Sequence, residues 1–324
     1  MQNVYLSIDT FSKKVHVLYS PAADNLETAT FFSLDIDEDS LFGGYCDYST
    51  VLNDSFSEML QLNDITEANL SIAVPSADVT FDYLTLPNLN NQRKNEDILI
   101  TEFKKMYPFI KKISDIKYYT IKTTKTNIIY MYPLFNSENL SLFNSFLVNT
   151  NHNLSFLTSN AIASASFAIS VIGSSILRKD VYQFINMRKN YTDCALIVGD
   201  NIYSTFTVPY GTKLLENYNE KDLVNYKLFA EIEKTVSPLM QPIMAYINRC
   251  NSLGVAESKK AVVHIADGYN SFLDILNRDS DITYEKFIVP SQYSMLDNNL
   301  ELLGMFLSKV NKDLEFSDTK IKQA

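Results

Sequence analysis

"ALIVGDNIYSTFTVPYG", residues 195–211, decides how the rest of this 324-residue chain is read. The apolar run Ala195–Val198 enters a turn of Gly199-Asp200-Asn201, and a second run follows it, the pattern of a strand, a tight turn and another strand. Glycine there permits the backbone to turn sharply, and a phosphate could sit against such a turn. The chain opens on a matching stretch, "YLSIDTFSKKVHVLY" (5–19), which alternates apolar and polar residues around a polar turn at Thr10–Lys14. Two openings of one design, half a chain apart, predict two lobes.

Outward from these hairpins, "YSTVLNDSFSEMLQL" (48–62) has apolar residues near helical spacing, and "NLSIAVPSADVTFDYLTLP" (69–87) supplies two strands around Pro75. A helix "EDILITEFKKMYPF" interrupted at Pro108, the strands "IKYYTIKTT" and "NIIYMYPLF", and the helix "ENLSLFNSFLVNT" form a unit of their own at about 78–157. The uncharged "AIASASFAISVIGSSIL" (161–177) is short for a membrane span and rich in serine, so it reads as a buried core helix. Helical stretches from Lys221 to Asn251, the strand "KAVVHIADG" (260–268), the helix "YNSFLDILNR" and a last helix "NLELLGMFLSKVN" complete the second lobe.

Composition narrows the function. Hydrophobic residues make up 46% and charged residues 20%, the balance of a folded globular chain. A net charge of −10 lacks the basic surface that neutralises phosphates, so no nucleic-acid partner is expected. Cys46, Cys194 and Cys250 stand far apart with no CxxC spacing, which predicts neither a disulfide framework nor a metal site and fits a reducing compartment. The opening "MQNVYLSIDT" has no signal-peptide pattern. Of the three histidines, His16, His152 and His264, the last stands mid-strand as a sheet residue, and no catalytic residue is assigned. The acidic run "DIDEDS" (35–40) and the lysines of "EFKKMYPFIKK" (102–112) read as solvated surface.

The paired strand-turn-strand openings, with a later strand ending in Gly268 before a helix, resemble the actin-like ATPase superfamily, and within it the bacterial branch of FtsA and the type IV pilus protein PilM. Leu86-Pro87, Glu102 and Tyr107-Pro108-Phe109 resemble the marks of PilM's inserted subdomain, "NLSFLTSNAIASASFAI" its return strand and helix, and "LLGMFLS" (302–308) its closing glycine-containing helix. The resemblance spans about residues 4–307. It implies an α/β, actin-like (ribonuclease H-like) two-lobed fold with an inserted PilM/FtsA-type subdomain. The expected division is a first lobe at 1–77, the insertion at 78–157, a return helix at 158–188, a second lobe at 189–312 with a helical subdomain at about 221–258, and a polar tail at 313–324.

Members of this superfamily hold nucleotide phosphates between two turns. The resemblance places Asp9, Thr10, Ser12 and Lys13 in the first turn, Gly199, Asp200 and Asn201 in the second, and Gly268 on the adenosine side. Phe11 takes a glycine's place, Val198 that of a carboxylate, and Ala266-Asp267-Gly268 retains one glycine of three. The implied cofactor is therefore none, or residual ATP and magnesium, with weak or no hydrolysis. The implied role is a cytoplasmic scaffold, recruited to the inner face of the cytoplasmic membrane, that binds the N-terminal peptide of a PilN-like membrane protein. Tyr83, Leu86, Phe103, Tyr107 and Phe109 are its candidate contacts, with a pilus assembly ATPase and self-association as further partnerships. Alternatives are an FtsA-like polymerising division protein, disfavoured by a tail whose only large apolar residues are Leu314, Phe316 and Ile321, and a sugar or acid kinase, which needs intact phosphate turns.

Overall fold

The structure is a computed structural model that describes residues 2–21, 26–42, 45–106, 119–135, 146, 150, 152–172, 181–199, 201–252, 258–278 and 280–310. The first half runs β1 (Gln2–Asp9), β2 (Lys14–Ser20), β3 (Thr30–Asp35), the ribbon β4 (Leu41–Phe42) and β5 (Tyr45–Cys46), α1 (Ser57–Leu62) and β6 (Ala68–Val74). The insertion follows as β7 (Val79–Pro87), α2 (Gln92–Met106), β8 (Tyr119–Thr123) and β9 (Asn127–Phe135), and the chain returns through β10 (Asn153–Ser159) and α3 (Asn160–Ile172). The second half is β11 (Val181–Met187), β12 (Thr192–Val198), β13 (Asn201–Val208), α4 (Phe229–Ser252), β14 (Lys260–Ile265), α5 (Phe272–Leu276), β15 (Thr283–Lys286) and α6 (Leu300–Val310).

Two five-stranded sheets share one topology. The first is ordered β3-β2-β1-β6-β10 and the second β13-β12-β11-β14-β15. In each, the three leading strands form an antiparallel meander and the last two lie parallel to the first strand of the meander. This corrects two expectations. The repeat of the β1/β2 hairpin is β11/β12, one strand earlier than the stretch around Gly199. The second lobe opens at Val181, not at 189, because Val181–Met187 is the central strand of its sheet.

Strand alternation sorts side chains between layers. On β1, Val4, Leu6 and Ile8 face an outer layer around Tyr48, Leu52, Phe56 and Met59, while Tyr5 faces the molecule's centre. On β11, Ile185 and Met187 face α4 and α5, while Tyr182 and Phe184 face the centre. The centre itself is the helix pair α3 and α6. Residues 160–169 of α3 are all buried, and among the described residues no helix is long and apolar enough to cross a membrane. The pair packs backbone to backbone, for a Cβ on Gly304 would lie 1.8 Å from the Ala163 carbonyl oxygen. Although α3 follows the first sheet in sequence, it packs against β11, β12 and β13 of the second. Conversely, α6 follows the second sheet in sequence yet packs against β1, β2 and β6 of the first.

The insertion is an antiparallel sheet, β7-β9-β8, backed by α2. Its core is Leu86, Leu99, Phe103, Ile128, Tyr130 and Tyr132, with Phe103 edge-on to Tyr132 at 4.9 Å. Leu86 and Phe103, expected as partner contacts, are therefore packing residues, since their side chains face α2 and β9 instead of solvent. Tyr83 is exposed, and Tyr107 and Phe109 lie outside the described residues.

Candidate functional site

The two lobes meet at two four-residue turns, Thr10–Lys13 after β1 and Arg188–Tyr191 after β11, at equivalent points of the repeated sheets. Neither turn contains glycine. In the first, Asp9 Oδ1 accepts from the backbone N–H groups of Phe11 (3.0 Å) and Ser12 (2.9 Å), and Lys13 takes the left-handed conformation at φ 55°. The second is held from behind: Thr212 and Lys213 donate backbone bonds to the carbonyls of Arg188 (2.8 Å) and Lys189 (2.9 Å). Gly211 makes that approach possible, because a Cβ there would lie 1.9 Å from the Arg188 oxygen.

Across the gap the turns touch directly. Phe11 stacks on Tyr191 at 4.9 Å, and Asn190 Nδ2 donates to Ser12 Oγ at 3.3 Å. The Arg188 guanidinium lies 4.0 Å from Asp9 and is bonded to Glu301, whose other oxygen accepts from the Ser7 hydroxyl at 2.9 Å. Ser7 also reaches Asn160 Oδ1 (3.0 Å), and Asn160 donates to the Ile8 carbonyl (2.9 Å). Asn160 and Glu301 stand in the first turns of α3 and α6, so both central helices begin at this cluster, and Glu301 is well placed toward the positive end of its helix.

Burial makes the charges consequential. Side-chain exposure is 8% for Arg188, 2% for Asp9 and 0% for Glu301. Burial works against the Arg188 charge, but the facing carboxylates, Glu301 foremost, raise its pKa overall. Asp193, next to Arg188 in the second lobe, is pushed up to about 6 by burial, opposed by the Thr207 hydroxyl at 2.5 Å, the Arg188 charge and the Ser76 hydroxyl. Burial also lowers His16 and holds the Tyr191 hydroxyl well above the ordinary tyrosine range. Among the described residues, Arg188 Nε, Tyr191 OH, Asn186 Nδ2 and Asn299 Oδ1 are buried with no hydrogen-bond partner.

No protein-family model and no curated protein matches this chain. Its structure is similar to that of a PilM–PilN type IV pilus biogenesis complex, with a TM-score of 0.64 at 12% identity, over 96% of this chain and 99% of that one. Lesser similarities include MreB5 of Spiroplasma citri bound to ADP (TM-score 0.47, 10% identity, 97% of each chain). Another is the cytoplasmic domain of EpsL, an inner membrane component of the type II secretion system of Vibrio cholerae (0.41, 7%, covering 96% and 94%). The chain has the actin-like fold.

In the actin-like cleft, the residues expected around a nucleotide are only partly brought together. Asp9, Thr10 and Ser12 line the inter-lobe gap, and Gly268 (φ 83°) lies at the same end of the second sheet as the Arg188–Tyr191 turn, since β11 and β14 run parallel. Lys13 turns its amine outward to Glu38 at 2.5 Å. Gly199 (φ 59°) and Asn201 belong to the turn at the opposite end of β12, a strand-length of roughly 20 Å away. Asp200 lies outside the described residues.

The cleft does not fit a nucleoside triphosphate. The amides of Phe11 and Ser12 are taken by Asp9, an aromatic stack bridges the turns, and Arg188 is matched by Asp9 and Glu301 with Asp193 beside them. A polyphosphate brought here would face three carboxyl groups and one guanidinium. The residues missed in the sequence are Arg188, Asp193, Asn160 and Glu301. Their signal was faint but present: "RKNY" is a four-residue polar break between the runs 181–187 and 192–198, and Glu301 is the single acid inside an apolar helix.

His264, expected as a sheet histidine, is buried between Asn186 (2.8 Å) and Asp297 (3.0 Å). Cys46 has its thiol pushed up to about 12 by burial, far from a reactive value. Among the described residues, no group of acidic, histidine or cysteine side chains is arranged to hold a metal ion.

Proposed function

We propose that this protein is a non-hydrolysing actin-like scaffold of a bacterial pilus or secretion assembly platform, acting at the inner face of the cytoplasmic membrane. The observation that carries this reading is the likeness to the PilM–PilN complex over 96% of the chain. The 4% left uncovered is too little to skip the insertion, so the likeness extends to the part in which FtsA- and PilM-type proteins depart from plain actin-like folds. The nucleotide-hostile cleft supports a role that rests on holding a partner and not on turnover.

The partner in this reading is a short N-terminal cytoplasmic peptide of a PilN-like membrane protein. It would lie between the first lobe and the insertion, adding as an extended segment beside β7, an edge strand of the described sheet, where Tyr83 is 46% and nearby Leu89 45% exposed. Backbone bonds along the edge supply affinity and the two apolar side chains anchor the register.

Mild crosslinking in native cells, affinity capture and mass spectrometry test the proposal. Recovery of a single-span membrane protein with a short cytoplasmic N-terminus, lost on Tyr83→Arg, is the expected result. Recovery of a tubulin-like division protein without pilus components would replace it with a division role.

A further inference from the structure

We infer that an internal clamp centred on Arg188 takes over the task that a nucleotide performs elsewhere in this fold, tying the two lobes across the cleft. Each lobe contributes to it. From the first come Asp9, Phe11, Ser12 and Ser76; from the second, Arg188, Asn190, Tyr191 and Asp193. Glu301, at the start of α6, lies between them, bonded to Arg188 on one side and to Ser7 on the other.

A bound anion between two phosphate turns works by presenting negative charge to donors on both lobes at once. Here Asp9 and Glu301 are the negative groups, built into the chain, and Arg188 is the cation they share. The backbone donors of the first turn close on Asp9 Oδ1, and Gly211 presses the second turn forward from behind. The tie is present in every copy and at every nucleotide concentration, so nucleotide has no open state to select. This inference stands on the fold and the cleft alone and is independent of which partner the protein serves.

The test is amide hydrogen exchange on the full chain, with and without Mg-ATP, on the wild type and on Arg188→Met/Glu301→Gln, which removes both charges with little change of shape. In the wild type, Mg-ATP leaves exchange at residues 9–13 and 187–192 unchanged and produces no saturable heat of binding. In the double variant, those same segments exchange at least about tenfold faster while the strands of both sheets keep their protection. Saturable Mg-ATP binding that protects residues 9–13 of the wild type overturns the inference. So does a folded double variant whose turns exchange at the wild-type rate. If the double variant fails to fold, the wild-type titration alone decides.

Discussion

Arg188 and Asp193 are neighbours with opposite energetic accounts. Removing the guanidinium leaves Glu301, fully buried, without its cation, so Arg188→Ala should cost about 3–5 kcal/mol in urea denaturation. Arg188→Met/Glu301→Gln should recover part of that loss, because Glu301 no longer carries a charge without a partner, while Asp9 still loses the cation it shares. Asp193 behaves in the reverse sense. Its folded pKa, about 6, lies above the ordinary 3.8, so the folded state holds its proton more tightly than the unfolded chain. Its contribution to stability is therefore complete below pH 3.8 and is lost as pH rises to about 6. Asp193→Asn should raise stability at pH 7 by about 3 kcal/mol relative to wild type and leave it nearly unchanged near pH 3.5, provided Thr207 keeps its bond. His16, lowered by burial, contributes a slope of the other sign in both proteins, so the difference between the two pH profiles isolates Asp193.

Packing of elements carries its own consequences. At the α3–α6 crossing, a single added methyl meets backbone and not a movable side chain, so Gly304→Ala should force the helices apart at about 3 kcal/mol, read as a lower Tm. Gly211→Ala should push the Arg188–Tyr191 turn out of line and speed amide exchange there. The same elements explain what could be read beforehand. "LLGMFLS" was legible as a glycine-containing helix, but only the structure shows why the glycine is there, at the close approach of Gly304 to Ala163. The second hairpin was placed one strand late for a physical reason. β12 is paired antiparallel on both sides, so two hairpins share it, and the one with Gly199 advertises its turn while Arg188–Tyr191 does not. β11 is buried on both faces, so "VYQFINM" has none of the alternation that marks a half-exposed strand. In the insertion, apolar residues were visible but their direction was not: Leu86 and Phe103 turned inward and Tyr83 outward.

Across the molecule, the cores divide unevenly. One cluster draws on both sheets and both central helices, whereas the insertion, among the described residues, keeps six buried apolar side chains to itself. Calorimetry should accordingly show the two lobes unfolding in one transition, with the insertion melting at or below it and shifting upward when the partner peptide is bound. The exchange of central helices has a further result, in the order of synthesis. α6, which ends at Val310, lies on the first sheet and brings Glu301 to Ser7, a residue made almost three hundred positions earlier. The amino-terminal sheet therefore leaves the ribosome with the part of its inner face that α6 covers still bare, and it stays an unfinished and sticky intermediate until residues 300–310 have been made.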